Sequence, residues 1–274
     1  VIGSRLGFIV GGGAMLWALD WLHWQATFLI LALLVFLNTL PILLYREPQH
    51  AAKTAQKTTP FSWQAVRQYL GYFRQSRSLA LWLWVLLSFK IADGLSGPLL
   101  KPLMVDLGLS FSQIGIYVTM LGAFAALLGA GVAGLLLRVM SRAWALVLFS
   151  VLKVLALAAY SWLAYQYEQQ QAVALWLIYL INALEDGISA MLLVVMLTLV
   201  MHYSRKQLAG TDFTFQVALM ATVSGGLYSL SGILGDQLGY ARYLMMISGI
   251  ALLCLLPILV WARSLPKDEA LQHK

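Results

Sequence analysis

The sequence predicts an all-α integral membrane protein with about eight transmembrane helices. The first observation is composition: 61% of the 274 residues are hydrophobic and 11% are charged, whereas soluble domains are about 45–50% apolar and about 25% charged. The second is that long apolar segments recur along the chain, and a helix needs about 20 such residues to cross a bilayer. The third is that most Lys and Arg residues lie between these segments.

The apolar segments define the predicted spans, which cover residues 2–19, 26–45, 79–104, 113–137, 143–165, 172–201, 212–235 and 241–262. The connections are short except for a polar linker at 46–78. Within it, FSWQAVRQYLGYF carries aromatic and aliphatic residues at helical spacing, which predicts an amphipathic helix on the membrane surface. The chain therefore divides into two helices (1–45), the linker (46–78), six helices (79–263) and a tail (264–274).

The basic residues predict the orientation, because cytoplasmic loops carry an excess of Lys and Arg. Alternate connections on one side hold most of them: Arg5, Arg46, Lys53, Lys57, Arg67, Arg74, Arg77, Arg138, Arg142, Arg205, Lys206, Arg263, Lys267 and Lys274. The opposite connections hold only Arg242. The linker, both ends of the chain and the loops at 138–142 and 202–211 are thus predicted to be cytoplasmic. This placement explains the net charge of +7 without a nucleic-acid partner.

Five charged side chains fall near the middle of three predicted spans: Lys90, Asp93, Lys153, Glu185 and Asp186. An isolated charge at this depth costs roughly 2.5–3.5 kcal/mol on insertion scales. A shared polar cavity inside a helical bundle would account for all of them. Lys90 and Asp93 are three residues apart, so they lie on one helix face and are close enough to pair. The alternative, a purely structural ion pair that locks the bundle, stays open.

Glu185 and Asp186 are neighbours and point about 100° apart on a helix, so only one can aim straight at a cavity centre. Asn182 and Ser189 lie four and three residues from Asp186, which favours Asp186 as the residue that faces the cavity. Glu185 would then pair with an adjacent helix, and Lys153 is its candidate partner. Whether that pair is structural or functional also stays open.

Helix breakers follow the first two charges. Gly94, Gly97, Pro98 and Pro102 are expected to interrupt the outer half of the third span. Such breaks free backbone carbonyls, which a membrane tolerates only where they line protein or water. A kinked helix at this position would serve as a gate. Lys101 lies near its outer end and could extend to the interface.

No metal site or cofactor is predicted. The four histidines are scattered through loops and span ends: His23, His50, His202 and His273. They show no paired ligand spacing. Cys254, the single cysteine, lies in an apolar run and is interpreted as a small buried hydrophobic residue.

Three stretches resemble the AmpG-type permeases of the major facilitator superfamily. VIGSRLGFIVGGGAMLWALDWLHWQATFLILALL resembles their fifth and sixth helices, LSFKIADGLSGPLLKPLMVDLGLSFSQIGI their seventh helix and the following loop, and AGTDFTFQVALMATVSGGLYSLSGILGDQLGY their eleventh helix. The Lys-x-x-Asp pair of Lys90 and Asp93 recurs in that group. The stretches Pro102 to Gly108 and Thr211 to Gln216 are more similar to siderophore permeases of the RhtX/FptX type. The doublet of Glu185 and Asp186 departs from the AmpG pattern.

This resemblance implies that the last six spans form the C-terminal bundle of a major facilitator fold. Residues 1–45 would be the last two helices of an N-terminal bundle, so we expect about four helices to be missing upstream. The implied protein is a transporter of the bacterial inner membrane that works by alternating access. It would couple protons to the import of a large polar solute, such as a siderophore or a muropeptide. Its partners would be the lipid bilayer, protons, that solute and the missing N-terminal half.

The residues receive expected roles within this scheme. Asp93 and Asp186 are expected to be proton-linked, because a carboxylate beside a lysine can exchange its charge state as hydration changes. Lys90 and Lys153 are the candidates for binding an anionic group of the solute. Two other classes stay open. A membrane-embedded enzyme would need a nucleophile–base pair or a metal set, and a non-transporting membrane protein would not need charges at the bilayer midplane.

Overall fold

The structure is a computed structural model that describes residues 2–19, 21–44, 71, 73 and 75–265. Eight long helical stretches follow one another in that part of the chain, and a short 3-10 helix, Lys206–Leu208, precedes the seventh. Their bounds are α1 Ile2–Gly7, Phe8–Ala14 and Met15–Leu19; α2 Trp24–Leu44; α3 Arg77–Phe89 and Ile91–Asp106; α4 Phe111–Gln113, Ile114–Met120 and Leu121–Leu136; α5 Arg142–Glu168; α6 Leu175–His202; α7 Ala209–Leu238; and α8 Tyr240–Ser264. The segments Phe8–Ala14 and Ile114–Met120 are π-helical.

The predicted all-α membrane fold is confirmed. Within the described residues, seven helices, α2 to α8, are long and apolar enough to cross a membrane, and the chain is a multi-pass membrane protein. The first predicted span, residues 2–19, is helical from Ile2 to Leu19, although its apolar stretch Phe8–Leu19 is shorter than those of the other helices. The predicted amphipathic helix of the linker and the tail at 266–274 lie outside the described residues.

The third span begins at Arg77, two residues before the predicted start at 79, because Ser76 caps the helix. The Ser76 side chain accepts a hydrogen bond from the backbone N–H of Leu79, which satisfies one of the free donors of the first turn. Phe73, at the end of the linker, is buried and stacks on Phe215 of α7. The linker therefore ends against the side of the bundle that the charge pattern predicts to be cytoplasmic.

Helices α3 to α8 form one bundle with two buried apolar clusters. In the bundle, α4 packs on α6, α5 packs on α6 and α8, and α3 packs on α7 and α8. One cluster surrounds Trp82 and Phe149 towards the predicted cytoplasmic side, and the other surrounds Leu157 and Tyr160 towards the opposite side. Lys153 lies between Phe149 and Leu157 along α5. The intramembrane charges are thus held between two apolar cores.

Helices α4 and α6 approach each other through backbone at Gly129. A Cβ atom added to Gly129 would overlap with the backbone carbonyl of Gly187 on α6. Lipid tails are as apolar as the side chains of a helix, so the hydrophobic effect does not hold two helices together in a membrane. Close packing at small residues does so instead. Gly129 therefore sets the distance between α4 and α6, and α6 carries two of the intramembrane carboxylates.

Gly129→Ala should lower the free energy of unfolding by about 1–3 kcal/mol, because the backbone of α6 has to shift to admit a methyl group. Gly134→Ala is the matched control on the same helix, since nothing lies within 4 Å of a Cβ added there. SDS titration of the purified protein in mixed micelles measures both. Equal stability of the two variants would contradict the close contact.

The first helix joins the bundle through α4, where the two π-helical segments face each other. A Cβ atom added to Gly115 would lie 2.7 Å from the carbonyl oxygen of Gly13 and 2.9 Å from the backbone nitrogen of Trp17. Main-chain atoms of the two helices therefore meet at these glycines, and the Met120 side chain also lies against Gly13. The helix α2 packs on α1 and is mostly exposed.

Candidate functional site

Four of the predicted charges form one continuous chain across three helices. Lys90 Nζ donates to Asp93 Oδ2 at 2.6 Å, and both residues lie on α3. Asp93 Oδ1 lies 2.9 Å from Lys153 Nζ on α5. Lys153 in turn pairs with Glu185 on α6. Positive and negative side chains alternate along the chain, so its four charges sum to zero.

Burial increases along this ion chain, defined here as Lys90, Asp93, Lys153 and Glu185. The side chains of Lys90 and Asp93 are 30% and 26% exposed, whereas those of Lys153 and Glu185 are 9% and 11% exposed. A buried charge that loses its partner is strongly destabilising. The inner pair of Lys153 and Glu185 therefore depends on mutual neutralisation more than the outer pair does.

Ser189 forms hydrogen bonds with two members of the ion chain, which corrects the expectation that it lies beside Asp186. Its Oγ donates to Glu185 Oε1 at 2.9 Å and accepts from Lys153 Nζ at 2.6 Å. Ser189 lies four residues after Glu185, so one helical turn places its hydroxyl next to that carboxylate. The predicted pairing of Glu185 with the adjacent helix through Lys153 is present.

Asp186 is held by a second polar group centred on Asn182. Asn182 Nδ2 donates to Asp186 Oδ2 at 3.0 Å and to the carbonyl of Val118 on α4 at 2.9 Å. Tyr160 on α5 donates from Oη to Asn182 Oδ1 at 2.9 Å. The proximity of Asn182 to Asp186 was predicted from helical spacing. The contribution of Tyr160 was not, because it lies on another helix.

A cavity of about 200 Å³ opens beside these groups between α1, α3, α4 and α6. Both carboxylates of the doublet line it, and Asp186 is the one of the two that lies outside the ion chain. The remaining lining residues are Phe8, Gly97, Leu100, Lys101, Met104, Val118, Thr119, Ala123 and Asn182. Lys101 Nζ donates to Thr119 Oγ1 at 3.2 Å. Lys101 therefore borders the cavity, a position that the sequence analysis did not give it.

A much smaller cavity of about 30 Å³ lies on the other side of the ion chain. It is lined by Asp93 and Lys153 together with Ser150 and Cys254, among other residues. Cys254 is half-buried there rather than fully buried. Since Glu185 lines the larger cavity and Asp93 the smaller one, the ion chain connects the two.

The third span is broken at a different residue from those that the sequence analysis expected. The backbone stays helical through Gly94, Gly97, Pro98 and Pro102, and the break falls at Lys90, which has φ −97° and ψ 3°. Gly94 serves a contact instead, because a Cβ atom there would lie 2.7 Å from the carbonyl oxygen of Ser224 on α7. The carbonyl of Leu95, three residues before Pro98, accepts a hydrogen bond from Tyr243 at 3.0 Å. Neighbouring helices thus support the proline-containing segment.

The site combines proton-accepting groups with fixed counter-charges. Protonation of Asp93 would remove the negative charge that both Lys90 and Lys153 face, and Lys153 would then interact with Glu185 alone. A bundle that changes hydration as it moves can drive such an exchange, because desolvation disfavours the charged form of a carboxyl group. Among the described residues, no group of His, Cys, Asp and Glu is arranged to hold a metal ion.

Comparison with known proteins places this chain among transporters. The family model described as Major Facilitator Superfamily matches residues 1–215. The "Putative transporter AmpG 4" of Rickettsia felis (strain ATCC VR-1525 / URRWXCal2) is 22% identical over 170 residues, which cover 61% of this chain and 41% of that protein. The "Anhydromuropeptide permease" of Escherichia coli (strain K12) is 28% identical over 165 residues, which cover 60% of this chain and 33% of that protein. No solved structure gives a significant match.

The matched part of each relative limits what that relative can indicate about this chain. The matched region spans about a third to two-fifths of the length of these curated relatives. The matched region contains only part of the stretches that resemble AmpG-type permeases. The sequence identity over that region is low. Fold and family follow from the match, whereas the substrate of a relative remains a property of that relative.

Proposed function

Because the chain belongs to the major facilitator superfamily, we propose that it acts in a secondary transporter of the bacterial inner membrane that imports a large polar solute with protons. The observation that carries this proposal is the ion chain between two cavities. A neutral row of alternating charges at the membrane midplane is costly to bury, and intramembrane ionisable residues mark substrate or proton pathways by default. Non-enzymatic transport also agrees with the permeases that share the family.

Asp93 is the proposed proton carrier. It is the carboxylate that contacts two lysines, at 2.6 Å and 2.9 Å, and it lines the smaller cavity. Binding a proton at Asp93 would release both contacts together and loosen α3 from α5. Asp186 is the second proposed proton-linked group, because it lines the larger cavity where a solute would be admitted.

The solute is proposed to be of the muropeptide or siderophore class. The AmpG-type relatives favour the first, and the stretches Pro102 to Gly108 and Thr211 to Gln216 favour the second. We also propose that the complete transporter contains a second set of helices upstream of α1. This proposal rests on the two-bundle architecture of the family.

Uptake by the full-length protein in proteoliposomes with an imposed pH gradient tests this function. A labelled anhydromuropeptide is used in one arm and a ferric hydroxamate siderophore in the other. We expect accumulation of one solute in the native protein and none in Asp93→Asn, while exchange of solute across the membrane, which moves no net proton, survives in part.

The double variant Lys90→Met with Asp93→Asn separates a working pair from a structural lock. It leaves the inner pair of Lys153 and Glu185 intact and removes the outer pair without an orphaned charge, so it should fold. If the outer pair couples protons, the folded double variant fails to concentrate the solute. Normal accumulation at normal abundance would refute the coupling role and leave these residues as a lock.

A further inference from the structure

A cleft of about 370 Å³ lies between the start of α3 and the end of α8, away from the ion chain. Arg77 of α3 and Arg263 of α8 line it, together with Val260 and Ser264. Both arginines are exposed, and the two helices pack on each other. Two guanidinium groups from distant parts of the sequence therefore border one opening.

No carboxylate balances these two charges in the part of the chain that the structure describes, because neither arginine forms an ion pair there. The Ser264 hydroxyl donates to the carbonyl of Trp261 at 2.7 Å, so the arginines are the donors that face the cleft. The dipoles of the two helices oppose each other here, since α3 begins and α8 ends at the cleft. The cleft is thus positive through its guanidinium groups, and its partner should be an anion.

The segments on either side of the described bundle supply little negative charge. The linker at 46–78 holds one carboxylate, Glu47, among six basic residues. The tail at 266–274 holds Lys267, Asp268, Glu269 and Lys274, whose charges sum to zero with His273 neutral. A ligand from outside the chain is therefore the better source of the anion.

The position of the cleft favours a lipid as that ligand. Each arginine lies at the end of a helix that is long and apolar enough to cross a membrane, which is the depth of the lipid headgroups. Trp84 is seven residues after Arg77, and Leu256 is seven residues before Arg263, close to two helical turns in each case. Both side chains are exposed, as is Val260 between Leu256 and Arg263. An apolar surface thus continues from each arginine towards the interior of the bilayer.

We propose that this cleft binds the phosphate of an anionic phospholipid, with Arg77 and Arg263 donating to the phosphate oxygens and the acyl chains lying along Trp84 and Leu256. Guanidinium groups bind phosphate with two parallel hydrogen bonds, and basic pockets between transmembrane helices bind anionic headgroups. A zwitterionic phospholipid would bring an ammonium group close to two arginines, so it should bind more weakly. A soluble phosphate would leave the apolar surface uncovered. This site is separate from the solute cavity and does not depend on the transport function.

Native mass spectrometry of the purified full-length protein in detergent, titrated with dioleoylphosphatidylglycerol, tests the proposal. The native protein should bind this lipid at least about fivefold more tightly than dioleoylphosphatidylethanolamine, which is zwitterionic. Arg77→Gln with Arg263→Gln should lower the affinity for the anionic lipid by about tenfold or more, because each basic residue near an anionic lipid contributes roughly fivefold. Both side chains are exposed, so the double variant should fold.

A matched control separates this cleft from the general attraction between basic residues and anionic lipid. Arg138→Gln with Arg142→Gln removes the same charge on the same predicted side of the membrane, outside the cleft. Arg142 is also the first residue of its helix and follows the capping residue Ser141, just as Arg77 follows Ser76. This double variant should keep the native affinity for dioleoylphosphatidylglycerol.

Two further variants keep the test decisive. If the double arginine variant of the cleft does not fold, Arg263→Gln alone should still lower the affinity for the anionic lipid by about fivefold, because α3 is unchanged. Asp268→Asn with Glu269→Gln should leave the affinity unchanged. A tenfold rise in lipid affinity in that variant would assign the cleft to the tail and overturn the proposal.

The lipid assignment is overturned by any of three other results. The first is equal binding of the anionic and the zwitterionic lipid by the native protein. The second is an equal loss of affinity in the cleft variant and in the matched control. The third is binding of glycerol phosphate, the soluble form of the headgroup, as tightly as the lipid, which would make the ligand a soluble anion.

Discussion

Lys153→Met should abolish proton-driven accumulation and lower the free energy of unfolding by about 3–5 kcal/mol, the cost of breaking a buried ion pair from one side. Lys153 touches both carboxylates of the ion chain, Asp93 and Glu185. Its removal leaves Glu185, which is as buried as Lys153, without a cation. SDS titration gives the stability, and uptake against a pH gradient gives the activity.

The partner variants make this prediction specific. Lys153→Met with Glu185→Gln leaves the neutral pair of Lys90 and Asp93, so most of the lost stability should return. Lys153→Met with Asp93→Asn leaves Lys90 and Glu185 as separate unpaired charges and should stay destabilised. Equal stability of the two double variants would contradict the division of the ion chain into an outer and an inner pair.

The second large effect is expected at Trp82, which is fully buried towards the predicted cytoplasmic side of the bundle. Its Nε1 donates to Gln216 Oε1 at 2.7 Å, and its ring stacks on Tyr203 with 4.8 Å between ring centroids. The ring of Trp261 lies 5.2 Å away. Trp82→Ala should lower the free energy of unfolding by about 3–5 kcal/mol, because it opens a cavity among the ends of four helices.

Matched variants separate packing from hydrogen bonding at this position. Trp84 lies two residues away, and its side chain is 63% exposed. Trp84→Ala should therefore change the free energy of unfolding by less than about 1 kcal/mol. Trp82→Phe keeps a ring but leaves Gln216 Oε1 without that donor, at a cost of about 1–3 kcal/mol. The same SDS titration compares all three. A loss at Trp84 that equals the loss at Trp82 would contradict the buried cluster.

The sequence predicts contacts within one helix better than contacts between helices. The pair of Lys90 and Asp93 follows from a spacing of three residues, and Asn182 with Asp186 follows from a spacing of four. Asp93 and Lys153, which form the bridge between α3 and α5, are 60 residues apart in the chain. Their contact depends on how the two helices pack. No periodicity within either segment contains that information.

Ser189 shows the limit of helical spacing even within one helix. It lies four residues after Glu185 and three after Asp186, and both separations place side chains on neighbouring positions of a helix face. Lys153 decides between them, because it holds Glu185 and Ser189 together. The glycines and prolines of α3 fail as break signals for a similar reason. Gly94 is a glycine because α7 packs closely against it, and this contact exists only in the folded bundle.

The contact between α1 and α4 leaves no room for a side chain at two positions. At Gly115 the first atoms that a Cβ would meet are main-chain atoms of Gly13 and Trp17, and at Gly13 the Met120 side chain lies against the main chain. Main-chain atoms cannot move aside as the end of a flexible side chain can, so a methyl group at Gly115 would push the two helices apart. The two glycines therefore act as a fixed spacer that sets how closely the first helix lies against the bundle.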